Sequence, residues 1–157
     1  MKKILQIIVI VFSISAYSQI DSSYYYNSKK ILDNYPKTRV KAEVLFNSAK
    51  KIYDEKGIIV PYELAISQAI VETSLGNTGV GKKRNNPFSL NSKKGYRRYI
   101  LIEDGILDYY YFISYYLKCR TTEQLFKNFV NCSGNRYASS KKYEQNLKKV
   151  LLQLRKL

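Results

Sequence analysis

Glu72 is the acidic residue whose neighbours in the sequence point to chemistry. It closes the stretch Pro61-Tyr62-Glu63-Leu64-Ala65-Ile66-Ser67-Gln68-Ala69-Ile70-Val71-Glu72. At helical spacing Ala65, Gln68 and Ala69 share its face. The carboxyl therefore projects from a largely apolar side of a helix whose hydrophobic positions nearly encircle it, the pattern of a central, buried element. Removal from water disfavours the anion there. So does the negative end of the helix dipole, because the chain leaves the helix by Gly76. A carboxyl kept protonated near neutral pH is what a general acid for glycosidic cleavage requires. An exposed Glu at a fraying helix end satisfies the same periodicity, so spacing alone leaves both readings open.

Composition removes the competing chemistries. The chain of 157 residues has no histidine, which excludes a Ser-His-Asp triad, a Cys-His protease and a His-ligated zinc site. Its two cysteines are too few for a Cys₄ metal site, so neither metal nor cofactor is expected. Acid–base work falls to twelve carboxylates, 16 tyrosines and the lysines. The 27 Lys and Arg give a formal charge of +15, which predicts an anionic partner or surface. Nucleic acid, anionic lipid and acidic wall polymers all fit that charge, and so does a plain solvated basic face.

The N-terminus narrows the compartment. Lys2 and Lys3 precede an apolar run from Ile4 to Ala16, and Ala16-Tyr17-Ser18 supplies small residues two apart before Gln19. The run is shorter than the roughly 20 residues that span a bilayer. Residues 1–18 are expected to be a signal peptide and 19–157 a single domain, exported to the periplasm or beyond, with no transmembrane segment in the mature chain. Cys119 and Cys132 would then face an oxidising space. They are expected to bridge two consecutive helices, with two buried free thiols as the open alternative.

The elements that must position Glu72 read as mostly helical. Asp21-Ser22-Ser23 caps a first helix that ends before Pro36, and Thr38 is expected to cap a second that Gly57 stops. Pro61 opens the Glu72 helix. Residues 76–98 carry turn chemistry, Gly76, Gly79, Gly81, Gly95, Asn85, Asn86 and Pro87 among them. A short extended piece over 96–101 closes this segment as a hairpin or edge strand. A helix follows Glu103-Asp104 to about Cys119, another starts at Thr121 or Thr122, and the last starts at Ser139 or Ser140.

With these residues in view, the segment from Pro61 to Gly76 resembles the helix of glucosaminidase domains of the glycoside hydrolase family 73 type, whose signature runs Gln-Ala-hydrophobic-hydrophobic-Glu-(Ser/Thr)-Gly-Trp-Gly. Asn85-Asn86-Pro87-Phe88-Ser89-Leu90 is similar to the family's Asn-Asn-Leu-Phe-Gly-Ile box. Arg136-Tyr137-Ala138-Ser139 with Tyr143 is similar to its late Tyr-Ala-Thr-Asp-Pro-x-Tyr segment. The boxes occur in family order over about residues 40–156. Ser74-Leu75 stands where the family has Gly-Trp, and Ser89 where it has Gly.

The resemblance implies a mainly α, lysozyme-like domain with a cleft and a reduced β-hairpin lobe. It implies cleavage of the β-1,4 bond after N-acetylglucosamine in peptidoglycan, with Glu72 as general acid and Tyr137 facing it. Gln68, Asn85, Asn86 and Phe88 are the implied substrate-binding residues, the Asn side chains acting as arms for sugar hydroxyl or acetamido groups. Glycosidases commonly use a second carboxylate roughly 5 to 9 Å from the first. Glu103 and Asp104 are the candidates, although both also fit helix capping. The expected partners are peptidoglycan strands and the anionic wall, not nucleic acid, for a chain acting as a monomer. Muramidase or lytic transglycosylase chemistry, and a non-catalytic wall-binding module on the same fold, are the alternatives.

Overall fold

The computed structural model describes residues 20–140 and 142–157. The expected signal peptide lies outside them. Seven helices and one two-stranded hairpin make up the described residues.

Helix α1 (Ser22–Leu32) starts as expected, with Asp21 accepting from the Ser23 N–H at 2.9 Å. Helix α2 (Ala42–Lys56) starts later than the Thr38 expectation. The Thr38 hydroxyl instead binds the backbone of Val40, closing a local turn in place of a cap. Helix α3 (Tyr62–Thr73) carries Glu72 in its last turn. It stops before Gly76 because Ser74 and Leu75 both turn left-handed, at φ 49° and 59°. Their N–H groups return to Ile70 and Ala69.

The next segment departs from the turn reading: Gly79–Arg84 forms a short helix, α4. Glycines mark turns in a sequence, but Gly81 is here for contact. A Cβ on it would lie 2.7 Å from Thr73 Cβ, so its absence lets α4 sit against the end of α3. The hairpin is β1 (Asn91–Ser92) with β2 (Gly95–Tyr96), antiparallel, Asn91 opposite Tyr96. Residues 97–101 fall outside it. The Tyr99 N–H donates to the Arg84 carbonyl at 2.9 Å, drawing the chain along α4 instead of extending the ladder.

Helix α5 (Ile102–Leu117) approaches closely at Gly105, where a Cβ would collide with the Asn85 carbonyl. Helix α6 (Thr122–Lys127) is capped by Thr121, with Gln124 reaching back to the Thr121 N–H. Helix α7 (Tyr143–Leu154) begins after the Ser139–Ser140 expectation, because Ser140 closes a turn by accepting from the Lys142 N–H.

Helix α2 packs against α1 and α5, while α3 is held between α7, α4, α1 and α2. Leu45, Ile52, Leu64, Ile66, Ile106, Ile113 and Leu147 are fully buried where these helices meet. Each such side chain contributes about 1.5–3 kcal/mol through burial. The fold is thus mainly α with a small hairpin lobe, as the lysozyme-like reading expects. Cys119 and Cys132 are bonded, Cα–Cα 5.6 Å. The bridge does not join two helices. It ties the residues just after α5 to the loop after α6. Among the described residues no helix is long and apolar enough to cross a membrane.

Candidate active site

A cleft of about 550 Å³ opens where the end of α3, the base of the hairpin, α5 and the segment before α7 meet. Val71, Glu72, Ser89, Asn91, Tyr96, Phe112, Tyr137 and Tyr143 line it, with Leu90 and residues 138–140. Glu72 is the one carboxylate among these lining residues. Burial raises its pKa above the ordinary carboxylate range, while the neighbouring hydroxyls of Ser89, Tyr143 and Tyr137 pull the other way. The acid is therefore biased towards its protonated form and its anion still has three hydroxyls to meet.

Each of those hydroxyls is placed by a different part of the chain. Tyr143 opens α7 and accepts from Gln68 Nε2 at 2.8 Å. Gln68 Oε1 accepts from Tyr109 at 2.6 Å. Tyr137 donates to the Phe88 carbonyl at 3.0 Å, and its ring lies 5.1 Å from Phe129 and 5.2 Å from Tyr143. Ser89 reaches the cleft with φ 53°, a left-handed conformation that strains a residue with a Cβ. Burial holds the Tyr109, Tyr137 and Tyr143 hydroxyls well above their usual pKa, so all three remain protonated at neutral pH.

Arg136 and Glu144 tie the Tyr137 loop to α7. Arg136 Nη2 donates to both Glu144 oxygens, at 2.7 and 3.0 Å, and Nη1 to Asn128 Oδ1 at 3.2 Å. The Phe129 N–H donates to Glu144 at 3.0 Å. Burial pushes the Glu144 carboxyl up, but the Phe129 amide and Arg136 outweigh it and its pKa falls below the usual value. Glu144 has no distinguishing spacing in the sequence. Only its partner on a loop eight residues away reveals it.

The four substrate-binding residues expected from sequence sit behind the cleft and do not line it. Gln68, Asn86 and Phe88 are fully buried. Asn86 Nδ2 donates to the Leu90 and Arg97 carbonyls, at 2.9 and 3.1 Å, and Oδ1 accepts from the Leu90 N–H, so its amide braces the hairpin. Asn85 caps α4 left-handed, binds the Tyr99 and Ile100 carbonyls and accepts from Arg39. Phe88 stacks on Tyr109 with centroids 3.6 Å apart. Both N–H groups and the oxygen of Asn85 and of Asn86 are engaged by the protein, and Gln68 is engaged at each end of its amide. Through these contacts Asn86 holds the Leu90 N–H beside Ser89, and the Phe88 carbonyl takes the Tyr137 hydroxyl.

Glu103 and Asp104 open α5 and do not line the cleft. Asp104 faces the Leu101 N–H, a capping contact at 3.4 Å. Asp108 is taken by Arg97 and Tyr99. Leu75, at the family's Trp position, is 2% exposed and belongs to the core. A larger hollow of about 820 Å³ lies between α2, α5 and α6. Its carboxylate, Glu123, is exposed and held low by its own backbone N–H and Thr121, so it lacks the properties of a general acid. No group of three or more His, Cys, Asp or Glu able to hold a metal ion occurs among the described residues.

Fold and site together define a helical domain with one half-buried acid in a tyrosine-lined cleft, the arrangement of a glycosidase-type hydrolase. A family model described as "Glucosaminidase: Mannosyl-glycoprotein endo-beta-N-acetylglucosaminidase" matches residues 46–156, and the chain belongs to this family. Membership supports a glycoside hydrolase of the glucosaminidase type acting on peptidoglycan-like strands. No curated protein matches the chain.

Proposed function

We propose that the protein is an exported peptidoglycan hydrolase that cleaves the β-1,4 bond after N-acetylglucosamine, with Glu72 as proton donor. The observation that carries this is the burial of Glu72 in the cleft, where desolvation favours the protonated carboxyl. Glu72 gives its proton to the leaving glycosidic oxygen as the bond to the anomeric carbon breaks. The resulting carboxylate then meets Tyr143, whose hydrogen is free because its oxygen accepts from Gln68.

Tyr137 serves both protonation states. With its hydrogen on the Phe88 carbonyl, its oxygen is the end left to accept from protonated Glu72. With its hydrogen turned to the cleft, it donates to the anion.

The lining residues supply no second carboxylate, which favours assistance by the substrate's own 2-acetamido group. The acetamido oxygen bonds to the anomeric carbon as the leaving oxygen takes the Glu72 proton. Water then opens that bond and returns a proton to Glu72. Tyr137 and Ser89 are the hydroxyls in reach to orient the acetamido group.

Zymography on purified peptidoglycan tests the assignment, with the parent and Glu72→Gln. Removing a general acid lowers the rate about 10²–10⁴-fold, so clearing is expected from the parent alone. Equal clearing by both would sink it. A reducing N-acetylglucosamine end in the released fragments is the expected product. Binding without clearing by either protein would favour a wall-binding module. Export predicts a secreted chain whose N-terminal residue is Gln19, read by N-terminal sequencing.

A further inference from the structure

The hairpin rim of the cleft carries features that acid catalysis at Glu72 does not use. Asn91 and Tyr96 face each other across the hairpin and both line the cleft. Tyr96 is 47% exposed, and Arg84 anchors its backbone carbonyl at 3.0 Å. An aromatic ring is thus held by its main chain at the cleft mouth with much of its surface in water. Lys93 and Lys94 form the turn between the strands, and Arg98 lies two residues past Tyr96.

All three cations are exposed, and among the described residues none is in an ion pair. Arg97 differs, because Asp108 holds its guanidinium at 2.5 Å. Asp108 is thus taken by Arg97, while Glu103 and Asp104 open α5 and pair with none of these cations. Glu72 is the cleft's own carboxylate and burial biases it towards neutrality. The hairpin and the residues just after it thus carry three exposed, unpaired cations close in sequence to a ring that lines the cleft.

A solvated basic surface accounts for the cations by themselves. It does not account for an aromatic ring left in water among them at the mouth of a saccharide-sized cleft. A bare neutral glycan would use the ring and leave the cations idle. A glycan carrying short acidic peptide branches would use both.

We propose that residues 91–98 form a subsite for the peptide-bearing form of the glycan strand. Tyr96 receives a sugar ring, and Lys93, Lys94 and Arg98 receive carboxylates of its peptide branch. The subsite rests on the glycan-cleaving reading of the cleft.

The test measures binding in the Glu72→Gln protein, so that turnover does not intervene. Two soluble probes are compared by calorimetry: peptidoglycan fragments with peptides intact, and the same fragments after an amidase has removed them, which leaves a single lactyl carboxylate in place of the several on each peptide. Several exposed ion pairs predict about fivefold to tenfold tighter binding of the peptide-bearing probe. That preference should vanish near 0.5 M salt, where charges are screened beyond about 4 Å. Lys93→Glu with Lys94→Glu should abolish the preference and keep binding to the denuded probe. Tyr96→Ala should weaken both probes about tenfold.

Equal affinity for the two probes, or a preference that survives the double substitution, overturns the peptide subsite and leaves the glycan reading standing. Unchanged affinities in Tyr96→Ala overturn the ring's role. Failure of both probes to bind removes the glycan reading and the subsite together.

Discussion

Gln68 donates through Nε2 to the hydroxyl of Tyr143 at 2.8 Å, while its Oε1 accepts from Tyr109 at 2.6 Å. Both ends of the amide are spent inside the protein. Tyr143 consequently has an oxygen already occupied and one hydrogen left to give, and Glu72 is the acceptor beside it. A residue that reads as a substrate contact thus acts through a tyrosine on the Glu72 carboxyl.

Replacing Tyr143 by Phe should expose this coupling. The Gln68 N–H loses its buried partner, at a cost of about 1–3 kcal/mol in denaturant unfolding. Glu72 also loses a donor to its anion, which raises its pKa and keeps it protonated to higher pH. The basic limb of the pH–kcat/KM profile should move upward. An unmoved limb would show that Tyr143 does not act on Glu72.

Glu72 should cost the fold stability. Its pKa in the folded state lies above the ordinary value of 4.5. The penalty is absent below the unfolded pKa, grows as pH rises through the interval between the two values, and is fully present above the folded one. Glu72→Gln should therefore melt at a higher temperature than the parent at neutral pH and at the same temperature near about pH 3. Equal melting at both pH values would contradict the buried, ionisable acid.

Ser89 keeps a left-handed φ of 53° that glycine adopts without strain. Ser89→Gly should stabilise the chain by about 0.5–1 kcal/mol. It should also move the basic limb of activity upward, because a donor to the Glu72 anion is gone. Ser89→Ala retains the strain and loses only the hydroxyl, so it should shift the limb without the gain in stability. A limb that moves in neither variant would assign Ser89 to backbone geometry alone.

The Arg136–Glu144 pair should govern how well Tyr137 is held. Arg136→Ala leaves a buried carboxylate short of its cation, and the loss should be about 2 kcal/mol, smaller than for a fully buried pair because Arg136 is partly exposed. The folded pKa of Glu144 is depressed, so its contribution is present above the unfolded value and disappears as pH falls through the folded one. Acid melting curves should therefore be shallower in Glu144→Gln than in the parent. Curves that superimpose would dismiss the clamp.

Some of this was legible along the chain. Asp21 and Thr121 cap helices where their side chains reach only two or three residues ahead. Glu72 is legible because helical periodicity reports burial, and burial is what shifts its pKa. Thr38, Ser140 and the glycines near α4 misled, because the same short polar or small residues serve turns, caps and close contacts alike. Asn85 and Asn86 read as sugar-binding arms until the carbonyls of Ile100 and Arg97, fifteen and eleven residues away, took up their amides.

The sequence by itself determined the helical class, the lack of any histidine-based chemistry, the strong positive charge and the candidacy of Glu72. Each follows from composition or from contacts within a few residues. Tertiary structure alone decided that Ser89 and Tyr143 join Tyr137 around that acid. Ser89, Tyr137 and Tyr143 come from three separate segments, and they converge because α3 packs on α7 and because Phe88 stacks on Tyr109. Hydrogen-bond ends can be counted only after such packing has assigned them. That count moved Gln68, Asn85 and Asn86 from the substrate's side of the cleft to the protein's.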